Sequence, residues 1–118
     1  MLLKELAMAW GVTGDEKDVR EIIKREVEPY VDEISYDGLG SVIAKKNGKN
    51  KGPVVMIAAH MDEVGIIITG INDDGTLSFE PLGGIDKKVA ASKRVYIGKD
   101  RIPGLIRFVN EYEDSYIY

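Results

Sequence analysis

The sequence predicts an α/β protein with a mixed sheet. Three observations carry that expectation. Apolar residues recur at helical spacing near the amino terminus, and short β-patterned runs separated by turn residues follow from Ile34 onward. One run, residues 54–59, is apolar without alternation. A strand that is apolar on both faces belongs inside a sheet, often a parallel one.

The elements follow in order. Leu2, Leu3, Leu6 and Trp10 recur at intervals of three and four, and Gly11 ends that segment. Thr13 stands three residues before Glu16, a capping-box spacing in which each side chain satisfies a free amide of the other's backbone. Val19, Ile22, Ile23, Val27 and Tyr30 then line one face of a second helix, closed by Pro29. Such a stripe is expected to pack on the protein's own sheet rather than to bind a partner.

Ile34 and Tyr36 alternate with polar residues, Asp37-Gly38 is a turn pair, and the strand pattern resumes at Val42, Ile43 and Ala44. Residues 45–52 place Lys45, Lys46, Lys49 and Lys51 among Asn and Gly, which reads as a solvated hairpin or loop. After the buried strand expected at 54–59, residues 64–69 form another apolar run. Asn72-Asp73-Asp74-Gly75 is a turn, since it lacks the spacing and the distal Glu of a calcium loop. Leu77 and Phe79 alternate beyond it, and Leu82-Gly83-Gly84 breaks the pattern. Val95-Tyr96-Ile97 and residues 102–106 read as two strands around Gly98. Near the end, Leu105, Phe108 or Val109, Tyr112 and Tyr116 fit one face of a short helix.

Composition narrows the function. The chain has 118 residues, 44% hydrophobic and 31% charged, a globular balance suited to one small domain or a piece of a larger one. A net charge of −4 argues against nucleic acid, which needs a basic face. There is no cysteine, so any metal must be held by His, Asp or Glu. No run has the shape of a secretory leader or the length of a membrane span, and a cytoplasmic, soluble protein is expected, with no membrane partner.

The chemistry centres on His60, the single histidine. It directly follows residues 54–59, with Asp62 and Glu63 just beyond. Open α/β sheets place ligands at the carboxyl ends of their strands, and neutral imidazole is a good ligand for zinc or cobalt. A carboxylate two residues away can fix the tautomer of such an imidazole. The plainer reading of the same pattern is a hydrogen-bonded His at a strand end beside two solvated acids.

Four segments carry a family resemblance: Gly-Val-Thr-Gly-Asp-Glu at 11–16, Tyr-Asp-Gly-Leu-Gly-Ser-Val-Ile-Ala at 36–44, Ala-Ala-His-Met-Asp-Glu-Val-Gly at 58–65 and Pro-Leu-Gly-Gly at 81–84. In order and spacing they resemble the tetrahedral-type metallo-aminopeptidases, the glutamyl and deblocking aminopeptidase family, some of whose members carry an endoglucanase label. The resemblance implies a peptidase with two divalent metal ions, zinc or cobalt, that removes amino-terminal residues from peptide substrates and assembles into homo-oligomers. It implies that His60 is a metal ligand and that Asp62 is the catalytic-site carboxylate orienting the metal-bound imidazole. It also implies that residues 1–84 belong to the metallopeptidase catalytic domain and residues 85–106 open an inserted β-rich dimerisation domain.

The family's bridging Asp, general-base Glu, further acidic ligands and second His have no counterpart here, and residues 107–118 read as a divergent tail. The chain is therefore expected to be a truncated aminopeptidase, inactive alone, without tightly bound metal and prone to associate or aggregate. A non-catalytic oligomerisation or interaction module derived from the family is the alternative. A glycosidase is a poorer one, because adjacent Asp62 and Glu63 are a poor basis for two carboxylates flanking a bond.

Overall fold

A computed structural model describes residues 1–108 and 115–117. The chain divides into two compact units, Met1–Asp62 and Glu63–Tyr118. Helices and strands occur together, as expected for α/β, and every strand pairing among the described residues is antiparallel.

The first unit holds helix α1 (Leu2–Met8), helix α2 (Lys17–Val27), a short 3-10 turn (Glu28–Tyr30) and strands β1 (Glu33–Tyr36) and β2 (Val42–Lys45). Arg25 on α2 grips Glu5 on α1 through two parallel bonds, Nη1 to Oε1 at 2.7 Å and Nη2 to Oε2 at 2.8 Å. That fork is the geometry that suits guanidinium and carboxylate. Of the apolar stripe expected here, Val19 on α2 is buried and Tyr30, in the 3-10 turn, remains exposed. Pro29 lies within the 3-10 turn that ends the helical run, where a missing amide costs little.

Strands β1 and β2 form the expected hairpin, Glu33 opposite Lys45 and Tyr36 opposite Val42. Its loop is built on Asp37, whose Oδ1 accepts the amides of Leu39 at 2.9 Å and Ser41 at 2.8 Å. Residues 45–52 leave the hairpin as an exposed segment, the solvated loop the lysines predict.

Two expectations fail in this unit. The capping box does not form, and α2 starts at Lys17 with no side-chain cap. Glu16 instead accepts the Gly14 amide at 2.6 Å, and the Thr13 hydroxyl donates to a carboxylate elsewhere. A capping box would need the Thr13 oxygen to accept a helix amide and Glu16 to accept the Thr13 amide, and Glu16 is spent on the Gly14 amide instead. Residues 54–59, expected as a buried strand, have neither helix nor strand pairing. Val54 is 99% exposed and Ile57 94%. A strand is held by its neighbours' ladder, and no described residue pairs with this segment.

The second unit is a five-stranded antiparallel sheet with helix α3 (Lys87–Ala90). The strands are β3 (Gly65–Ile71), β4 (Leu77–Leu82), β5 (Arg94–Ile97), β6 (Ile102–Phe108) and β7 (Ser115–Ile117), in the spatial order β3-β4-β7-β6-β5. The β3–β4 hairpin turns at residues 72–75 as expected. Asp74 Oδ1 accepts the amide of Thr76 at 3.0 Å and its hydroxyl at 2.8 Å. Between Ile68 and Gly70 the register shifts, a bulge that puts an extra residue in β3.

The end of the chain behaves differently from its reading as a helical tail. Residues 109–114 lie outside the described residues, so Val109 and Tyr112 stand untested, but Phe108 belongs to β6 and Tyr116 to β7. Strand β7 is the middle strand of the sheet, with Ile117 opposite both Leu77 and Ile106. Ile117 and Ile106 are the buried apolar side chains of this unit among the described residues. Gly104 makes room for Ile117: a Cβ there would stand 2.5 Å from Ile117 Cγ2 and 3.1 Å from Ile97 Cδ1.

Candidate functional site

The candidate site lies in the first unit, where residues 11–14 approach residues 60–62. Gly11 makes the approach possible. It is buried, and a Cβ on it would meet Val19 Cγ2 at 2.6 Å and the Met61 carbonyl oxygen at 3.6 Å. The chain then turns, the Asp15 amide donating to the Val12 carbonyl at 2.8 Å. Gly14 holds the left-handed position of that turn at φ 91°, a conformation that costs glycine little. Thr13 sits at the corner and its hydroxyl donates to Asp62 Oδ2 at 2.8 Å.

Asp62 faces His60 with its other oxygen. His60 Nδ1 lies 3.1 Å from Asp62 Oδ1 and 3.1 Å from the Asp62 carbonyl oxygen. Both neighbours are acceptors, so a neutral imidazole here carries its proton on Nδ1 and donates it. The lone pair then belongs to Nε2. The ring is 86% exposed, which leaves that nitrogen open to solvent. The Asp62 carboxyl is held below its ordinary value, first by the Thr13 hydroxyl and then by the hydrogen bond from His60. Both hydrogen bonds favour the ionised acceptor.

The two residues singled out from sequence, His60 and Asp62, are therefore in direct contact. Thr13 was missed as a partner of this site. Its capping-box spacing pointed to a local role, and nothing in sequence marks a bond across 49 positions. The donor chemistry fits one corner of a metal site: an outward-facing imidazole nitrogen with a carboxylate behind it. It does not make a whole one. Among the described residues no group of three or more His, Cys, Asp or Glu side chains is placed to hold a metal ion, and a catalytic zinc needs about three protein ligands. Among the described residues, too, no helix is long and apolar enough to cross a membrane.

The chain is similar to known proteins over most of its length. The family model of M42 glutamyl aminopeptidases matches residues 40–114, so the likeness continues past Arg107. FrvX of Escherichia coli K12, a candidate aminopeptidase, is 44% identical over 89% of this chain and 30% of its own length. A Thermotoga maritima structure described as an endoglucanase is 40% identical with a TM-score of 0.85, covering 98% of this chain and 37% of that one. A Pyrococcus horikoshii TET1 peptidase, which can assemble into a tetrahedron or a large octahedral shell, is 29% identical with a TM-score of 0.77 over 99% of this chain and 39% of that one. The chain thus spans about a third of the length of the proteins it matches.

Proposed function

The chain belongs to the M42 glutamyl aminopeptidase family, and on that premise we propose that it carries the first metal-ligand element of a dimetal aminopeptidase and is inactive by itself. His60 is the ligand, through Nε2. Asp62 is the carboxylate that holds the ring in the required tautomer. The observation that supports this reading is the Nδ1–Oδ1 contact of 3.1 Å, which directs the ring proton inward and the lone pair outward.

In the complete enzyme, two divalent ions, zinc or cobalt, would polarise the scissile carbonyl and lower the pKa of the attacking water. This chain's own part is narrower. His60 offers one nitrogen, and Asp62 keeps it pointed and electron-rich by accepting a hydrogen bond from Nδ1–H. With one imidazole and an engaged carboxylate, metal binding here is weak. The substrate would be the amino-terminal residue of a peptide, the assembly a homo-oligomer and the location cytoplasmic. On the same plan residues 1–84 belong with the catalytic domain, residues 85–106 open an inserted β-rich domain, and residues 107–118 continue from it. A glycosidase fits less well, since both oxygens of Asp62 are committed to Thr13 and His60 and such enzymes need carboxyl groups free to act on the bond.

The test has two arms. The 118-residue chain is assayed against a panel of amino-acid anilides with zinc or cobalt added, and no turnover is expected. Metal-dependent turnover that disappears in His60→Ala would overturn the inactive reading. In a chain extended by the family's downstream region, His60→Ala should lower metal content and activity together while the fold remains. Asp62→Asn should lose about 10–100-fold in activity with a smaller loss of metal. Full metal occupancy in folded His60→Ala, measured by mass spectrometry, sinks the ligand assignment.

A further inference from the structure

We propose that Thr13 is a positioning residue for His60, acting through Asp62: its hydroxyl anchors Oδ2, which keeps Oδ1 against Nδ1 and the lone pair of Nε2 outward. The inference rests on the ligand reading of His60 and goes beyond it, because it assigns control of the ligand's tautomer to a residue on another segment of the chain.

The physical need is simple. The terminal torsion of an aspartate is soft and nearly two-fold. An exposed carboxylate held only by the ring would turn freely and lend the ring little direction. A second bond on the opposite oxygen removes that freedom. The Thr13 bond at 2.8 Å supplies it.

The placement of Thr13 is built from several residues. Gly14 at φ 91° shapes the corner, and the Gly14 amide is latched by Glu16 Oε1 at 2.6 Å. Glu16 in turn faces Arg20 on α2, Oε2 to Nη2 at 3.7 Å. Gly11 lets the start of this segment lie against Val19 and the Met61 carbonyl. The beginning of α2 is thereby tied to the orientation of His60. A helix cap, the ordinary duty of a Thr at this spacing, is absent, since α2 makes no side-chain cap bond.

The experiment reads the ring directly. His60 is the only histidine, so the two ring nitrogens of the 15N-labelled chain are assigned without ambiguity. In alkaline buffer the wild-type chain should show mainly the Nδ1–H tautomer. Thr13→Val, which removes the hydroxyl and keeps the shape, should lower the Nδ1–H to Nε2–H ratio by about threefold or more, the scale of one net hydrogen bond. Thr13→Ser, which keeps the hydroxyl, should restore it. Circular dichroism checks the fold, and Thr13→Ala replaces Thr13→Val if the valine variant unfolds. A wild-type ratio in the folded variant without the hydroxyl overturns the proposal. So does an equal fall in Thr13→Ser, which would assign the effect to the methyl group. Zinc added to the same samples tests the ligand reading separately. If zinc in large excess, enough to load a weak site, leaves Nε2 unshifted while the tautomer responds to Thr13, the ligand role falls and the positioning role stands.

Discussion

Asp37 and Asp62 show how much a short polar side chain can organise in this chain, and how unequally their roles are written in sequence. Asp62 and His60 could be read together because they are two positions apart, after an apolar run. Thr13 could not be read with them, because its partner is brought near only by the fold. Asp37 lies between these cases. The Asp37-Gly38 pair announces a turn, yet the left-handed position falls at Gly40, φ 86°, because the loop is longer than a two-residue hairpin turn. The Ser41 amide and side chain are the leading causes that hold the Asp37 carboxyl below its ordinary value, with the Leu39 amide a smaller one. The sign follows. A carboxyl lowered in the folded state stabilises the hairpin above its unfolded value and stops doing so as pH falls through the folded one. The Leu39 and Ser41 amide resonances should titrate together on acidification, with a midpoint below the ordinary aspartate value of about 3.9. Asp37→Asn should abolish that titration. A midpoint at the ordinary value would mean that the two bonds do not persist in solution.

Among elements, those with a local signal were legible and those defined by distant pairing were not. Helices α1 and α2 follow from apolar spacing, and the hairpins β1–β2 and β3–β4 from apolar or alternating runs around Asp, Asn and Gly turns. Strand β7 has no such signal. Its three residues, Ser115, Tyr116 and Ile117, sit in a tyrosine-rich, acidic stretch. Only insertion between β4 and β6 makes a strand of them. The insertion buries Ile117 to 1% exposure between Leu77 and Ile106. Ile117→Ala should therefore cost about 2–5 kcal/mol, the usual range for emptying such a site. Gly104→Ala acts from the opposite direction. Its methyl would fall 2.5 Å from Ile117 Cγ2 and 3.3 Å from Val95 Cγ2, and overpacking of this kind costs about 1–3 kcal/mol. Urea unfolding of each variant is the measurement. Wild-type midpoints for Ile117→Ala would show that β7 is not docked in solution.

At the scale of the whole molecule, residues 54–59 matter most, because here the sequence pattern and the structure disagree for a physical reason. The run Val54, Val55, Met56, Ile57 has the composition of an interior strand, but a strand needs partners on its edges and cover on its faces. Among the described residues it has no strand partner, and its side chains stand 78–99% exposed. Strand β3 adds a second such feature: it ends the order of its sheet, with Ile67 51% and Ile71 79% exposed. Unpaired apolar edges recruit other chains, and exposed apolar runs of strong β-propensity do so most readily. The isolated chain should therefore associate in solution. Light scattering during size-exclusion chromatography should give a mass above the 13.1 kDa of one chain, rising with concentration. Val55→Lys with Ile57→Lys should lower that mass, since charge on an exposed strand opposes pairing. Neither substitution touches a buried position, so circular dichroism should remain that of the wild-type chain. A sharp monomer peak with cooperative unfolding at every concentration would show that the chain is self-sufficient, and that the apolar segment finds its cover within one molecule.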